Sequence, residues 1–258
     1  MTDPLSGKTV IVTGATGGIG GACVRALFAR GANVTLVDRS PERLAALAAE
    51  GGDRALALVL DVASEEDMAR MAAETIERFG AIDTLISAAG ILRTGGQPRM
   101  VSDTSFDEWK TILSVNLTGT FLSNRAVLGQ MTKQGQGDIV NVSSTSGRQG
   151  RPFDAAYCAS KFGVVGFSES LAEEVGRIGI RVQTLLPDAV DTPLWEQSGT
   201  AAIRPRELLT PERVAEVILY LITLPRDTYL LNPTLYPSRQ RARRRAAAPA
   251  VAGGEAVS

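Results

Sequence analysis

The sequence contains no histidine. That absence removes Ser-His-Asp hydrolysis, the HExxH zinc helix and every imidazole general base, so any proton transfer must fall to another side chain. Only two cysteines are present, Cys23 and Cys158. They are too few for a disulfide framework or a four-cysteine zinc site, so they read as small apolar fillers in a reducing compartment, and no metal site is expected. No apolar run approaches the roughly 18 residues of a membrane helix, and Met1–Lys8 is polar with no export h-region. A soluble, cytoplasmic chain with no membrane partner is the expectation. The formal net charge of -1 lacks the basic excess that phosphate neutralisation demands, so nucleic acid is not an expected partner.

What is present is enough apolar chain for one large core, 44% of 258 residues. Short apolar runs alternate with longer helical patterns from Lys8 to about Leu224. The runs at Thr9–Thr13, Asn33–Asp38, Ala55–Asp61, Thr84–Ser87, Asp138–Ser143 and Arg181–Leu186 read as strands. Between and after them, Gly18–Arg30, Pro41–Glu50, Ser64–Phe79, Phe106–Lys133, Asp154–Arg177 and Pro211–Leu224 carry apolar residues at helical spacing. Alternation of this kind predicts a single α/β, Rossmann-type doubly wound parallel sheet of about seven strands, with helices on both faces. A last strand within Asp227–Pro237 must sit at an edge, because Pro233 and Pro237 cannot donate to a ladder. The domain is expected to span 1–237, followed by an Arg/Ala-rich, disordered tail over 238–258.

Directly after the first strand comes Thr13-Gly14-Ala15-Thr16-Gly17-Gly18-Ile19-Gly20, which opens a helix. In that setting Gly14 allows a tight turn, Gly18 a close approach of backbone to a pyrophosphate, and Gly20 close helix packing, while Thr16, Gly17 and Ile19 line the same turn. The helix start offers unpaired N–H groups and a positive dipole end to phosphate. Asp38 ends the second strand eighteen residues beyond Gly20. Its carboxylate suits the hydroxyls of an adenosine ribose and repels a 2′-phosphate, favouring NAD; the adjoining Arg39 keeps NADP as the alternative. Asp61 and Val62, after the third strand, are placed for an adenine contact, and Asp61 with Ser64 also suits a helix cap.

Tyr157 and Lys161 stand four apart on one face of an expected helix. Ser144 lies thirteen residues before Tyr157 in Ile139-Val140-Asn141-Val142-Ser143-Ser144, and Asn116 lies in Ser114-Val115-Asn116-Leu117-Thr118-Gly119. With the glycine turn, these positions resemble the short-chain dehydrogenase/reductase family over about Lys8–Leu224. Hydride arriving at a carbonyl carbon leaves charge on oxygen; Ser144 can donate a hydrogen bond to that oxygen and Tyr157 can supply its proton. In the oxidation direction the phenol must act as base, and Lys161 is expected to lower its pKa from about 10 toward 7. The resemblance further implies that Lys161 holds the nicotinamide ribose and that Asn116 holds a water leading from Lys161 to solvent. It also places Ala88, Ala89 and Gly90 along the cofactor, and Pro187, Val190 and Thr192 at the nicotinamide end. A homodimer or homotetramer is implied, with Phe106–Lys133 and Asp154–Arg177 at the interface.

Three departures from the family pattern stand out. The usual Asn-Asn-Ala-Gly reads Ser87-Ala88-Ala89-Gly90, losing an amide that braces the central sheet. The usual Pro-Gly reads Pro187-Asp188, which adds a carboxylate beside the expected substrate. The familiar Gly-rich closing strand is replaced by Tyr229-Leu230-Leu231-Asn232-Pro233-Thr234-Leu235-Tyr236-Pro237, and the lid segment Leu194–Leu209 is short. Arg93, Arg99, Arg148 and Arg151 fall in loops near the site. The expected activity is hydride transfer between NAD(H) and a small-molecule alcohol or ketone. Alternatives are a catalytically quiet NAD-binding sensor or scaffold, and an NADPH-dependent 3-oxoacyl-carrier-protein reductase.

Overall fold

The computed structural model describes residues 3–199, 205 and 207–238. The expected tail and part of the expected lid lie outside the described residues. Seven strands form one sheet in the order β3-β2-β1-β4-β5-β6-β7, every neighbouring pair parallel. They are β1 Thr9–Thr13, β2 Asn33–Asp38, β3 Ala55–Val59, β4 Thr84–Ser87, β5 Gly137–Val142, β6 Ile180–Pro187 and β7 Thr234–Leu235. The helices are α1 Gly18–Ala29, α2 Pro41–Ala49, α3 Glu65–Phe79, α4 Phe106–Leu113, α5 Gly119–Gln134, α6 Ala155–Val175 and α7 Pro211–Thr223.

Alternate strand residues point to opposite sides of the sheet and feed two cores. Val10 and Val12 with Val34, Leu36 and Val140 pack against α1 and α7, whereas Ile11, Leu85, Ile139 and Val182 pack against α3, α5 and α6. Strand order reverses between β1 and β4, so the loops after these two strands diverge to opposite faces. That divergence opens a crevice at the carboxyl ends of the strands, where ligands of such sheets bind.

Three local outcomes differ from the expectations. β3 stops at Val59 instead of Asp61; it is an edge strand, and Val59 is already exposed. The single long helix expected over Phe106–Lys133 is broken by a π-helical turn at Ser114–Thr118. Inserting that wider turn rotates Asn116 inward, where its amide pairs with the Ile91 backbone and Ser160. The closing strand is only two residues long, set at the sheet edge beside Leu186 and Pro187 as the flanking prolines require.

The amide missing at Ser87 is replaced by a buried polar network. Asn124 and Asn141 exchange amide hydrogen bonds of 2.9 and 3.0 Å, Asn124 Nδ2 also donates to Ser87 Oγ at 3.2 Å, and Asn141 Nδ2 donates to Ser168 Oγ at 2.9 Å. Asn124 and Asn141 are fully buried, so each lost partner leaves an unsatisfied group costing ~1–3 kcal/mol. Asn124→Ala is therefore expected to destabilise the fold by about 2–4 kcal/mol. Urea unfolding reads this directly, and a loss under about 0.5 kcal/mol would show that the network does not brace the sheet.

Candidate active site

Gly14 follows β1 with φ +67°, and a Cβ there would lie 2.6 Å from the Ala89 Cα. Only glycine lets the loops after β1 and β4 approach this closely while the chain turns left-handed. Gly20 meets the turn from inside the helix: a Cβ would stand 2.1 Å from the Gly14 carbonyl oxygen. Gly18 lines the groove and also has a protein neighbour, since a Cβ there would strike Thr192 Cγ2 at 2.4 Å. The close approach at Gly18 thus draws Thr192 over the start of α1. No side chain caps α1, whose N-cap is Gly17, so its first-turn N–H groups face the crevice without a side-chain competitor.

The crevice is a groove of about 370 Å³. Of the residues assigned to the cofactor from sequence, Gly14, Thr16, Gly17, Gly18, Ile19, Gly20, Asp38, Arg39, Asp61, Val62, Ala88, Ala89, Gly90, Tyr157, Lys161 and Thr192 line it. Pro187 and Val190 do not; they line an adjoining cavity of about 110 Å³ together with Ser144 and Tyr157. Asn116 is fully buried and lines neither. Sequence reasoning missed Arg43, which shares the groove wall with Arg39 and donates to the Thr16 carbonyl. Its place in the first turn of α2, four residues after Arg39, was the available signal. Asp38 is held from both sides, Oδ2 accepting from Thr16 N–H at 3.0 Å and Oδ1 from Arg39 N–H at 2.7 Å. Asp61 lines the groove, and its Oδ1 accepts from Ala63 N–H at 2.9 Å in the turn before α3; the cap of α3 itself is Ser64 alone, through Asp67 N–H.

At the far end of the groove, α6 carries Tyr157 and Lys161 on one face. Lys161 Nζ donates to the Val142 carbonyl at 2.9 Å and stands 5.7 Å from the centre of the Tyr157 ring. Ser143 Oγ donates to the Lys161 carbonyl at 2.9 Å, tying the end of β5 to α6. Asn116 Oδ1 accepts from Ile91 N–H at 2.8 Å, and Nδ2 donates to Ile91 O and Ser160 Oγ. Both amide protons are therefore committed to protein, leaving one Oδ1 lone pair for the expected water.

The protein groups alone do not produce the expected lowering of the phenol. Burial pushes Tyr157 up to about 12; the hydrogen bond with Ser144 and the charge of Arg151 pull the other way, and Asp154 adds to the rise. Burial likewise holds Lys161 down to about 8. Removing either group from water penalises its charged form, and that penalty outweighs the favourable neighbours.

A glycine turn opening a helix, an acid at the end of β2 and a buried Tyr–Lys pair where groove meets cavity are the architecture of a Rossmann-type oxidoreductase that uses a nicotinamide cofactor. The chain belongs to the short chain dehydrogenase family, whose sequence profile matches residues 8–202. It is 36% identical over 223 residues to the 3-alpha-(or 20-beta)-hydroxysteroid dehydrogenase of Mycobacterium tuberculosis, covering 86% of this chain and 84% of the relative. It is 38% identical over 199 residues to the 2,5-dichloro-2,5-cyclohexadiene-1,4-diol dehydrogenase of Sphingobium indicum, covering 77% and 78% of the two chains. Among solved structures, a 3-ketoacyl-(acyl-carrier-protein) reductase from Brucella melitensis complexed with NADH superposes with a TM-score of 0.82 at 31% identity, covering 90% of this chain and 97% of the other. Among the described residues no helix is long and apolar enough to cross a membrane.

Burying Lys161 has a consequence for stability. Its folded pKa of about 8 lies below the usual lysine value, so the unfolded chain binds more protons between about pH 8 and 10.5. The cost of the buried charge is therefore greatest below pH 8 and is relieved as pH rises. Lys161→Met is expected to raise stability at pH 7 by about 1–3 kcal/mol, with the gain shrinking by pH 10. Denaturant titrations at the two pH values check this; a variant less stable than the parent at pH 7 would contradict it.

Proposed function

We propose that the protein interconverts a small alcohol and its ketone with NAD(H) as hydride partner, Tyr157 carrying the proton. The observation that supports this reading is that Tyr157 belongs to both spaces, lining the cofactor groove and the cavity that also holds its hydrogen-bond partner Ser144. In balance, an alcohol and the oxidised cofactor give a ketone, the reduced cofactor and one proton. A nicotinamide cofactor in the groove supplies or takes up the hydride.

The chain's own groups handle the oxygen. In reduction, negative charge grows on the former carbonyl oxygen; Ser144 Oγ donates a hydrogen bond to it and Tyr157 donates the proton. A phenol pushed up to about 12 stays protonated through neutral pH, which suits an acid. Oxidation needs the phenolate, the minor form at neutral pH. Lys161 offsets that handicap while it remains charged, and loses its charge as pH passes about 8. Gly14, Gly18 and the uncapped start of α1 make room and hydrogen-bond donors for phosphate. Asp38, already oriented by two backbone N–H groups, is placed to accept from ribose hydroxyls and to repel a 2′-phosphate. Arg39 and Arg43 beside it favour NADP as the second reading.

Tyr157→Phe is expected to lower turnover on a broad alcohol and ketone panel by about 10²–10⁴-fold while leaving NADH binding intact. With the parent protein, kcat/KM for oxidation should still be rising at pH 8, whereas reduction should be level from pH 6 to 8 because Tyr157 stays protonated there. An oxidation plateau below pH 7 would remove Tyr157 as the base, and no turnover across the panel would favour a quiet NAD-binding sensor. For the cofactor, Asp38→Ser should move the NAD to NADP ratio of kcat/KM toward NADP by at least about tenfold, because it removes the repelling charge. An unchanged ratio would show that Asp38 does not set the choice.

A further inference from the structure

The cavity beside Tyr157 has a wall of paired charges. Asp188 Oδ1 accepts from Thr145 Oγ1 at 2.8 Å and from Arg151 Nη2 at 2.6 Å, and the same guanidinium nitrogen donates to Thr145 Oγ1 at 2.9 Å. The Asp188 backbone is equally constrained, its N–H donating to the Leu235 carbonyl at 2.8 Å. Next along the wall, Arg93 Nη1 donates to Asp154 Oδ1 at 2.7 Å; Arg93 is only 7% exposed, and its buried Nε has no acceptor among the described residues. Facing this rail are apolar groups, among them Leu92, Val190, Leu194 and Trp195.

Charge and size narrow what fits. Each guanidinium already has a carboxylate, so an anionic substrate would meet Asp154 and Asp188, and a cationic one Arg93 and Arg151, without a free counter-charge. Burying such a charge is costly, whereas a neutral hydroxyl or carbonyl is served by groups that both donate and accept. The cavity of about 110 Å³ is smaller than the engineered cavity of about 150 Å³ that takes benzene, so the part of the substrate that it encloses is no larger than about one small ring.

We infer that Asp188 and Arg151 form a second recognition point, and that the substrate is a small neutral compound with a second oxygen close to the reacting one: a diol, a hydroxyketone or a diketone. This rests on the oxidoreductase reading above. In it, Ser144 and Tyr157 take the reacting oxygen, while the free lone pairs of Asp188 and the remaining N–H groups of Arg151 take the second. Asp188 thereby acts on specificity, chiefly through binding.

The test compares kcat/KM for three probes, cyclohexanone, 2-hydroxycyclohexanone and 3-oxocyclohexanecarboxylate, with the full chain and the cofactor it accepts. The hydroxyketone is expected to exceed cyclohexanone by at least about tenfold, mostly through KM, the worth of one good hydrogen-bonded group. Asp188→Ala should bring that ratio near one and raise the carboxylate relative to cyclohexanone, since it frees Arg151. Arg151→Gln, at a half-exposed position, should also reduce the ratio and guards against misfolding at Asp188. Equal rates for the two neutral probes, a ratio unchanged in both variants, or preference for the carboxylate would overturn the inference. So would inactivity on all three when other ketones of the panel are turned over. Inactivity on the whole panel would instead overturn the oxidoreductase reading itself.

Discussion

A buried ammonium is the constraint around which this site is arranged. Lys161 is 5% exposed, and its Nζ donates to the carbonyl that β5 presents at Val142. Charge in such a place demands oriented oxygen on one side and compact chain on the others. The loop after β4 meets the second demand: a Cβ on Gly90 would lie 3.5 Å from Nζ and 3.3 Å from Asn116 Oδ1, leaving little room for more than Ala88-Ala89-Gly90. Gly147 is held for a similar reason, because a Cβ there would stand 2.8 Å from the Lys161 carbonyl. The ends of β4 and β5, the first turns of α6 and the π-helical turn are thereby tied to one side chain. A stable core alone would not choose such an arrangement, since an apolar residue at 161 avoids the desolvation cost. Spending stability on a buried charge is what a working site does.

The parallel sheet and the places of its strands were legible because parallel strands buried on both faces carry near-continuous apolar runs, and because β1 leads directly into a glycine turn whose spacing has few structural solutions. The starts of α3, α4 and α7 fall within a residue of where the helical pattern begins, and there the side-chain oxygens of Ser64, Ser105 and Thr210 cap them. The ends of elements were less so, since an edge strand such as β3 is paired on one side only, and its alternation gives no sign of where pairing stops.

Other features were hidden for identifiable reasons. The π-helical turn leaves no mark in a helical period, because Ser114–Thr118 contains no proline or glycine; its cause is the tertiary pull of Ile91 and Ser160 on Asn116. Arg43 was overlooked because a charged residue on an exposed helix face looks like any other until β1 and α2 are folded together. The direction of the Tyr157 shift was misjudged because the spacing of Tyr157 and Lys161 shows that a positive charge is near and says nothing of burial. Burial acts on both groups at once and weakens each one's charged form.

The two departures at Asp188 and at the closing strand are one structural feature. β7 pairs with Leu186 and Pro187, and its Leu235 carbonyl receives the Asp188 N–H, so the edge that replaces the family's Gly-rich strand also sets where the Asp188 carboxylate stands. A two-residue strand between prolines offers few ladder bonds, and those it makes fall at the mouth of the cavity. Position 188 therefore takes a backbone partner from the segment that departs from the family pattern and its side-chain partners, Thr145 and Arg151, from the loop that follows Ser144, which handles the oxygen in the proposed reaction. Change at the carboxyl end moves a carboxylate in the cavity without disturbing the Tyr157–Lys161 pair, whose supports lie on β5 and α6. In the proposed reaction, specificity and proton transfer thus rest on separate struts of the same sheet, so that one frame can vary its substrate around a single chemistry.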